Sequence, residues 1–271
     1  MGFGRLRFRR SFGQVKSQFR GARPKFYPLF TGLLDTYTGA AAAYSLRRLS
    51  KSVSSVVRVR RSSDNAERDF TEDGVSDGTL VAWVGAGNDG FVPTWYNQSG
   101  NGSDAVQQVS GSQPKIVDAG VLVSGGLDFD GVDDFLEKTI TLTHPTTMFS
   151  AYKALSNSSF VTGSASSSLN FGQRFNGQYA MFAGTSMGAG THPSTEVLAS
   201  CLFNTTSSTG HWNGVEVLSG DVGTRTDFDY IGKNLSNYFD GPIQELIIYP
   251  SDQSANRVAI ETNINNQYDI Y

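Results

Sequence analysis

Asp128, Asp130, Asp133 and Asp134 form the densest acidic cluster in the sequence. In an extended segment, side chains two residues apart share a face, so Asp128 and Asp130 could together chelate calcium, which takes six to eight oxygen ligands. The competing reading is that Asp130-Gly131 makes a turn and the other acids are solvated. Asp227 and Asp229 repeat the spacing and have the same two readings. No other cofactor is expected. His144, His192 and His211 are scattered, without the i, i+4 pairing or cysteine companions of a metal site or triad. Cys201 is the only cysteine, so an internal disulfide is excluded. Gly85-Ala86-Gly87 lacks the Lys-Ser/Thr pair of a phosphate loop.

Sugar binding needs an aromatic face for the C–H surface of the ring and amides or carboxylates for its hydroxyls. Trp95, Tyr96, Asn97 and Gln98, with Trp212 and Trp83 elsewhere, supply both kinds of group. The structural alternative makes Trp95 and Trp212 core anchors and Tyr96–Asn101 a turn.

These residues sit in a chain of 271 residues, 38% hydrophobic and 17% charged, enough to bury a core. No run approaches the ~18 apolar residues of a membrane helix. After residue 44 the text is mostly short β runs between turn residues. Val53–Arg61, Leu80–Val84, Phe91–Tyr96, Thr147–Ala154, Val197–Phe203 and Ile243–Tyr249 are among the expected strands. Tyr44–Lys51 reads as a helical turn, and Gly125-Gly126 as the turn of a tight hairpin joining Val121–Val123 to Leu127–Phe129. The serine-rich stretch Ser156–Ser168 reads as a surface loop. One helix is expected after Pro250, capped by Ser251-Asp252, with Val258, Ile260 and Ile264 placed near the edge of the sandwich. The expected fold is an all-β, antiparallel two-sheet sandwich with a short C-terminal helix.

The net charge of −3 conceals a division. Residues 1–61 hold fourteen lysines and arginines against one acid, Asp35, whereas residues 62–271 hold eight against twenty-four. In the first segment Arg5, Arg7, Arg9, Arg10, Lys16 and Arg20 interleave with Phe8, Phe12 and Phe19 without sustained periodicity. It reads as an extended basic arm over residues 1–32 that anchors the domain of residues 33–271 to a partner. No nucleic-acid motif follows the arm, so neither a specific nucleic acid nor a membrane is expected as partner.

Several segments resemble the concanavalin A-like, laminin-G-type jelly roll. Leu127-Asp128-Phe129-Asp130-Gly131-Val132-Asp133-Asp134 looks like its opening strand, His211-Trp212-Asn213-Gly214-Val215 like its Asn-Gly turn, and Phe239–Tyr249 like its closing strand. Val57-Arg58-Val59-Arg60-Arg61-Ser62-Ser63-Asp64 and Thr94-Trp95-Tyr96-Asn97-Gln98-Ser99-Gly100-Asn101-Gly102 resemble the catalytic domain of arabinofuranosidase B. The same block is similar to lectin-like proteins from the structural regions of tailed bacteriophages. In the arabinofuranosidase the resemblance places the acid/base carboxyl at Asn234 and the nucleophile within Phe175–Gly184, which holds no acid. The family's vicinal cysteine pair is also missing. A retaining glycosidase needs two carboxyls ~5–5.5 Å apart.

The chain is therefore expected not to be an enzyme. It reads as a virion structural protein of a bacteriophage, a capsid decoration protein or short tail or head fibre. On this reading it is held to other virion proteins by its arm, is homo-oligomeric, sits on the particle surface and presents a lectin-like domain to host glycans. The alternative is an arabinofuranosidase-like glycoside hydrolase. Deleting residues 1–25 is expected to leave a folded, soluble domain that no longer joins its assembly. Co-sedimentation with the particle measures this, and normal incorporation of the truncated chain would refute the anchor.

Overall fold

The computed structural model describes residues 30–166 and 169–271. The arm, with Arg5, Arg7, Phe8, Arg9, Arg10, Phe12, Lys16, Phe19 and Arg20, lies outside the described residues. Thr31–Tyr271 form one compact unit. It is a mostly antiparallel β structure with a single long helix, Arg257–Tyr268. No described helix is long and apolar enough to cross a membrane.

The organising element is the strand Asp240–Tyr249, buried along almost its whole length. Thr146–Tyr152 pairs along one side of it. On the other side Leu127–Asp130 pairs with its first half and Ala42–Ser45 with its second. Beyond Thr146–Tyr152 the sheet continues through Val197–Phe203, Ser208–Trp212 and Val215–Gly220. Beyond Leu127–Asp130 it runs through Lys115–Asp118, Gly90–Trp95 and Leu136–Thr141 to Asp227–Ile231. Asn213 and Gly214 both adopt positive φ, +51° and +75°, as a two-residue turn between right-twisted strands requires.

Two apolar layers flank the central strands, so their residues are buried on both faces without alternation. Met148, Tyr152, Leu246 and Ile248 belong to the main core with Trp95, Phe129, Phe203 and Trp212. Phe149, Ala151, Ile247 and Tyr249 belong to a second layer with Leu33, Leu34, Ile260 and Ile264. The helix therefore covers the middle of the sheet and not its edge, and Val258 is exposed. It also starts later than Ser251-Asp252 indicated, at Arg257 after Asn256.

Other local expectations are corrected by tertiary pairing. Thr79–Val84 is a helix that buries Leu80 and Val84, an i, i+4 pair, with the Asp77 carboxylate accepting from the Thr79 N–H. Ala42–Ser45 is a strand because the edge of Asp240–Tyr249 accepts it. Val121–Leu122 pairs with Lys115–Asp118, so Gly125-Gly126 does not close the expected hairpin. Within the serine-rich stretch, Thr162–Gly163 is a buried strand against Asp227–Ile231.

One carboxylate ties the outer layer together. Glu245 is fully buried and accepts hydrogen bonds from Arg47 Nε (2.7 Å) and Nη2 (2.9 Å), Ser45 Oγ (2.9 Å) and Tyr268 Oη (3.0 Å). Burial works against the Arg47 charge, but the charge and hydrogen bonds of Glu245 outweigh it and hold the guanidinium above its ordinary pKa. Truncating one member of such a pair leaves the other charged and dry. Glu245→Ala is expected to cost about 3–5 kcal/mol, read from urea unfolding midpoints. A loss below about 1 kcal/mol, the worth of an exposed pair, would show that the pair is peripheral.

Candidate functional site

The sugar-binding groups expected from sequence are largely built into the scaffold. Trp95 and Trp212 are 0% and 2% exposed, so neither ring presents a face to solvent. Gln98 Nε2 donates to the carbonyls of Ser45 and Arg47, and its Oε1 accepts from the Leu49 N–H. Asn97 Oδ1 accepts from the Ala43 and Ser99 N–H groups, and its Nδ2 donates to the Gly102 carbonyl. Tyr96 is half-buried and donates to Asp69. Residues 96–101 thus hold the backbone of residues 40–49 in place, which is the turn reading of that segment.

The acidic cluster also differs from expectation. Gly131, at φ +74°, folds the chain back so that Asp130 meets Asp133 and Asp134, with ligand atoms within 4.8 Å. Asp128 is not in that group. Asp130 Oδ1 accepts from the backbone N–H groups of Val132 and Asp133 (2.8 and 3.2 Å), and Asp134 Oδ2 from that of Asp130. Burial, then the charge of Asp130, pushes the Asp134 carboxyl up to about 7. Asp128 is raised by burial and by Asp240.

A different cleft collects the side chains that could hold a ligand. Asn170–Gln173, Tyr179–Phe182 and Ser186–Ala189 form a separate three-stranded sheet, and Lys233–Asn234 with Asn237–Tyr238 a two-stranded one. Around a hollow of about 370 Å³ stand the amides of Asn170, Asn234 and Asn237, the hydroxyls of Ser158 and Ser186, and Arg174. Phe160, Phe175 and Phe182 contribute rings, and Phe175 is 71% exposed. Asn234 is 4% exposed, and its Oδ1 is buried without a hydrogen-bond partner. Among the described residues no aspartate or glutamate lines this cleft. A larger hollow, about 440 Å³, lies beside Arg47 and Tyr268, but both are already engaged by Glu245.

The cleft brings together Asn234 and the Phe175–Gly184 segment, fifty residues apart in sequence. Aromatic and polar packing behind it fixes the strand Tyr179–Phe182. The Tyr179 ring lies 4.6 Å from that of Trp212 and 5.0 Å from that of His192. His192 Nδ1 lies 2.8 Å from the Pro193 carbonyl, which can only accept, so the ring proton sits on Nδ1. Nε2 then accepts from Tyr152 Oη (3.0 Å), which accepts in turn from Trp212 Nε1 (3.0 Å). Sequence reasoning had named Trp212 for its ring face. Its contribution is instead a buried donor beneath the cleft.

No protein-family description and no curated protein matches the chain. Solved structures do. An arabinofuranosidase complexed with arabinofuranosyl-α-1,2-xylobiose superposes with a TM-score of 0.59 at 15% identity, covering 84% of this chain and 63% of that one. A GH54 α-L-arabinofuranosidase soaked with a cyclic sulfate inhibitor gives 0.59 at 14% identity, with the same coverage. The chain thus spans about 63% of the length of these structures. They share its fold, a β-sandwich that carbohydrate-active proteins use. The expectation that the chain is not an enzyme is contradicted by this finding, because these solved structures of the same fold are arabinofuranosidases.

Two buried groups near these sites give opposed pH dependences. Burial lowers His192 from 6.5 to about 4, so between those values the unfolded chain binds more protons and stability rises with pH. Asp134 is raised from 3.8 to about 7, so over that interval the folded chain binds more protons and stability falls with pH. Asp134→Asn removes the falling component. The variant is expected to gain stability from pH 4 to 6.5 at up to about 1.4 kcal/mol per pH unit relative to the parent, followed by chemical denaturation across pH. Parallel profiles would refute the shift.

Proposed function

We propose that this domain recognises carbohydrate in the cleft between Asn234 and Phe175. One observation carries the reading: a cleft that collects the amides of Asn170, Asn234 and Asn237 also presents an exposed phenylalanine ring. A sugar answers both features, because its hydroxyls donate to amide oxygens and its C–H face stacks on aromatic rings. The hollow is also within the ordinary range for small-molecule sites. An arabinofuranosidase of the same fold holds an arabinofuranosyl-xylobiose, which supports a glycan as the ligand class.

The wider reading is a bacteriophage virion protein, a decoration protein or short fibre that presents this cleft to host glycans. The arm of residues 1–32 is its anchor to neighbouring virion proteins. The division of charge between residues 1–61 and 62–271 supports the anchor, and the resemblance of residues 57–64 and 94–102 to phage lectin-like proteins supports the setting.

Glycan-array screening of the full chain, followed by calorimetry on the best ligand, tests the cleft. Phe175→Ala is expected to weaken binding about tenfold, equivalent to ~1.4 kcal/mol, with an unchanged melting temperature because the ring is exposed. Absence of any glycan ligand, or unaltered affinity in Phe175→Ala, would sink the proposal.

A further inference from the structure

Resting on the carbohydrate reading of the same cleft, we propose that the glycan it selects is acidic and that Arg174 pairs with a sugar carboxylate. Arg174 lines the cleft half-buried. Among the described residues its guanidinium makes no ion pair and no hydrogen bond; its one side-chain partner is the Phe175 ring, 5.8 Å away. By contrast Arg47, Arg58, Arg61 and Arg257 each hold a carboxylate at 2.7 Å. Residues 62–271 carry twenty-four acids against eight basic residues, so an arginine facing a cleft without a carboxylate is a local reversal of the charge around it.

The backbone makes room for this cation. A Cβ at Gly188, on the neighbouring strand Ser186–Ala189, would run into the Arg174 guanidinium and its Cδ. Glycine there lets the side chain lie against the strand, and no positive φ requires it. The side chains of Asn234 and Asn237 line the same cleft. A guanidinium presents its donors as a planar fork that matches a carboxylate in two parallel hydrogen bonds. A half-buried setting strengthens such a pair relative to the open surface. Among the described residues lining the cleft Arg174 is the one cation, which fits a single monoanionic group. Phe175 would stack the sugar ring while Arg174 fixes the acid.

The test uses the full chain and uronate oligosaccharides (galacturonate, glucuronate and mannuronate), each paired with its neutral methyl ester and with a sulfated oligosaccharide. The expected result is at least tenfold tighter binding of one uronate than of its ester. That preference should vanish in Arg174→Gln and shrink in Gly188→Ala, whose only predicted clash is with a flexible side chain. It should also weaken as salt rises. Equal affinity for acid and ester, or a preference that survives Arg174→Gln, overturns the acidic assignment while Phe175→Ala still reports on the cleft. Preference for the sulfated sugar overturns the carboxylate. Failure to hold any glycan instead removes the carbohydrate reading itself.

Discussion

A glutamate without solvent access, at the middle of the long central strand, is the constraint around which the outer layer is arranged. Taking a carboxylate out of water costs several kcal/mol, so Glu245 is tolerable only if each oxygen finds donors. Arg47 supplies a two-pronged ion pair, and Ser45 and Tyr268 supply hydroxyls. These partners come from the segment that opens the described domain and from its last helix. Arg47 Nη1 also reaches Asn263 on that helix. Satisfying one carboxylate therefore brings both ends of the domain onto the same strand, and Leu33, Leu34, Ile260 and Ile264 close over it.

That arrangement leaves the other face of the sheet to build the cleft's support. Tyr152 lies opposite Ile243 on the central strand, and its hydroxyl joins Trp212 to His192. These three side chains pack under Tyr179, whose strand carries Ala180, Met181 and Phe182 to the cleft. Trp212 Nε1 can only donate, the Tyr152 hydroxyl accepts from it and donates onward, and His192 Nε2 accepts, so the hydrogen bonds run in one direction beneath the smaller sheet.

The cleft occupies a β-sandwich also found in arabinofuranosidases, yet its lining is amide, hydroxyl, aromatic and guanidinium. Such a lining offers hydrogen-bonding groups and rings, the features on which the carbohydrate proposal rests. The acids of the chain gather elsewhere: Asp130, Asp133 and Asp134 close a turn, and Glu245 and Glu261 pair with arginines inside the outer layer. Fold and site chemistry are therefore separate facts about this protein.

The pattern of short strands and turns, the closing strand over residues 243–249 and the Asn213-Gly214 turn were legible in sequence, because period, length and turn chemistry are local properties. Leu80–Val84 was misread as a strand because a short apolar run has no decisive period, and an i, i+4 burial pattern decided it. The Trp95–Gln98 segment stayed open between a sugar site and a turn for a different reason. Its residue types suit a sugar equally well, and only the backbone groups of residues 43–49 show that the amides are already engaged. Asn234 and Phe175 were noticed through resemblance, but nothing in their spacing says that they share a cleft. Arg174 passed unremarked because an unpaired cation is a statement about neighbours. Local sequence determined which segments extend and where they turn; which polar groups remain free for a ligand was decided by tertiary packing, since a hydrogen bond is satisfied only by what folding brings within 3 Å or so.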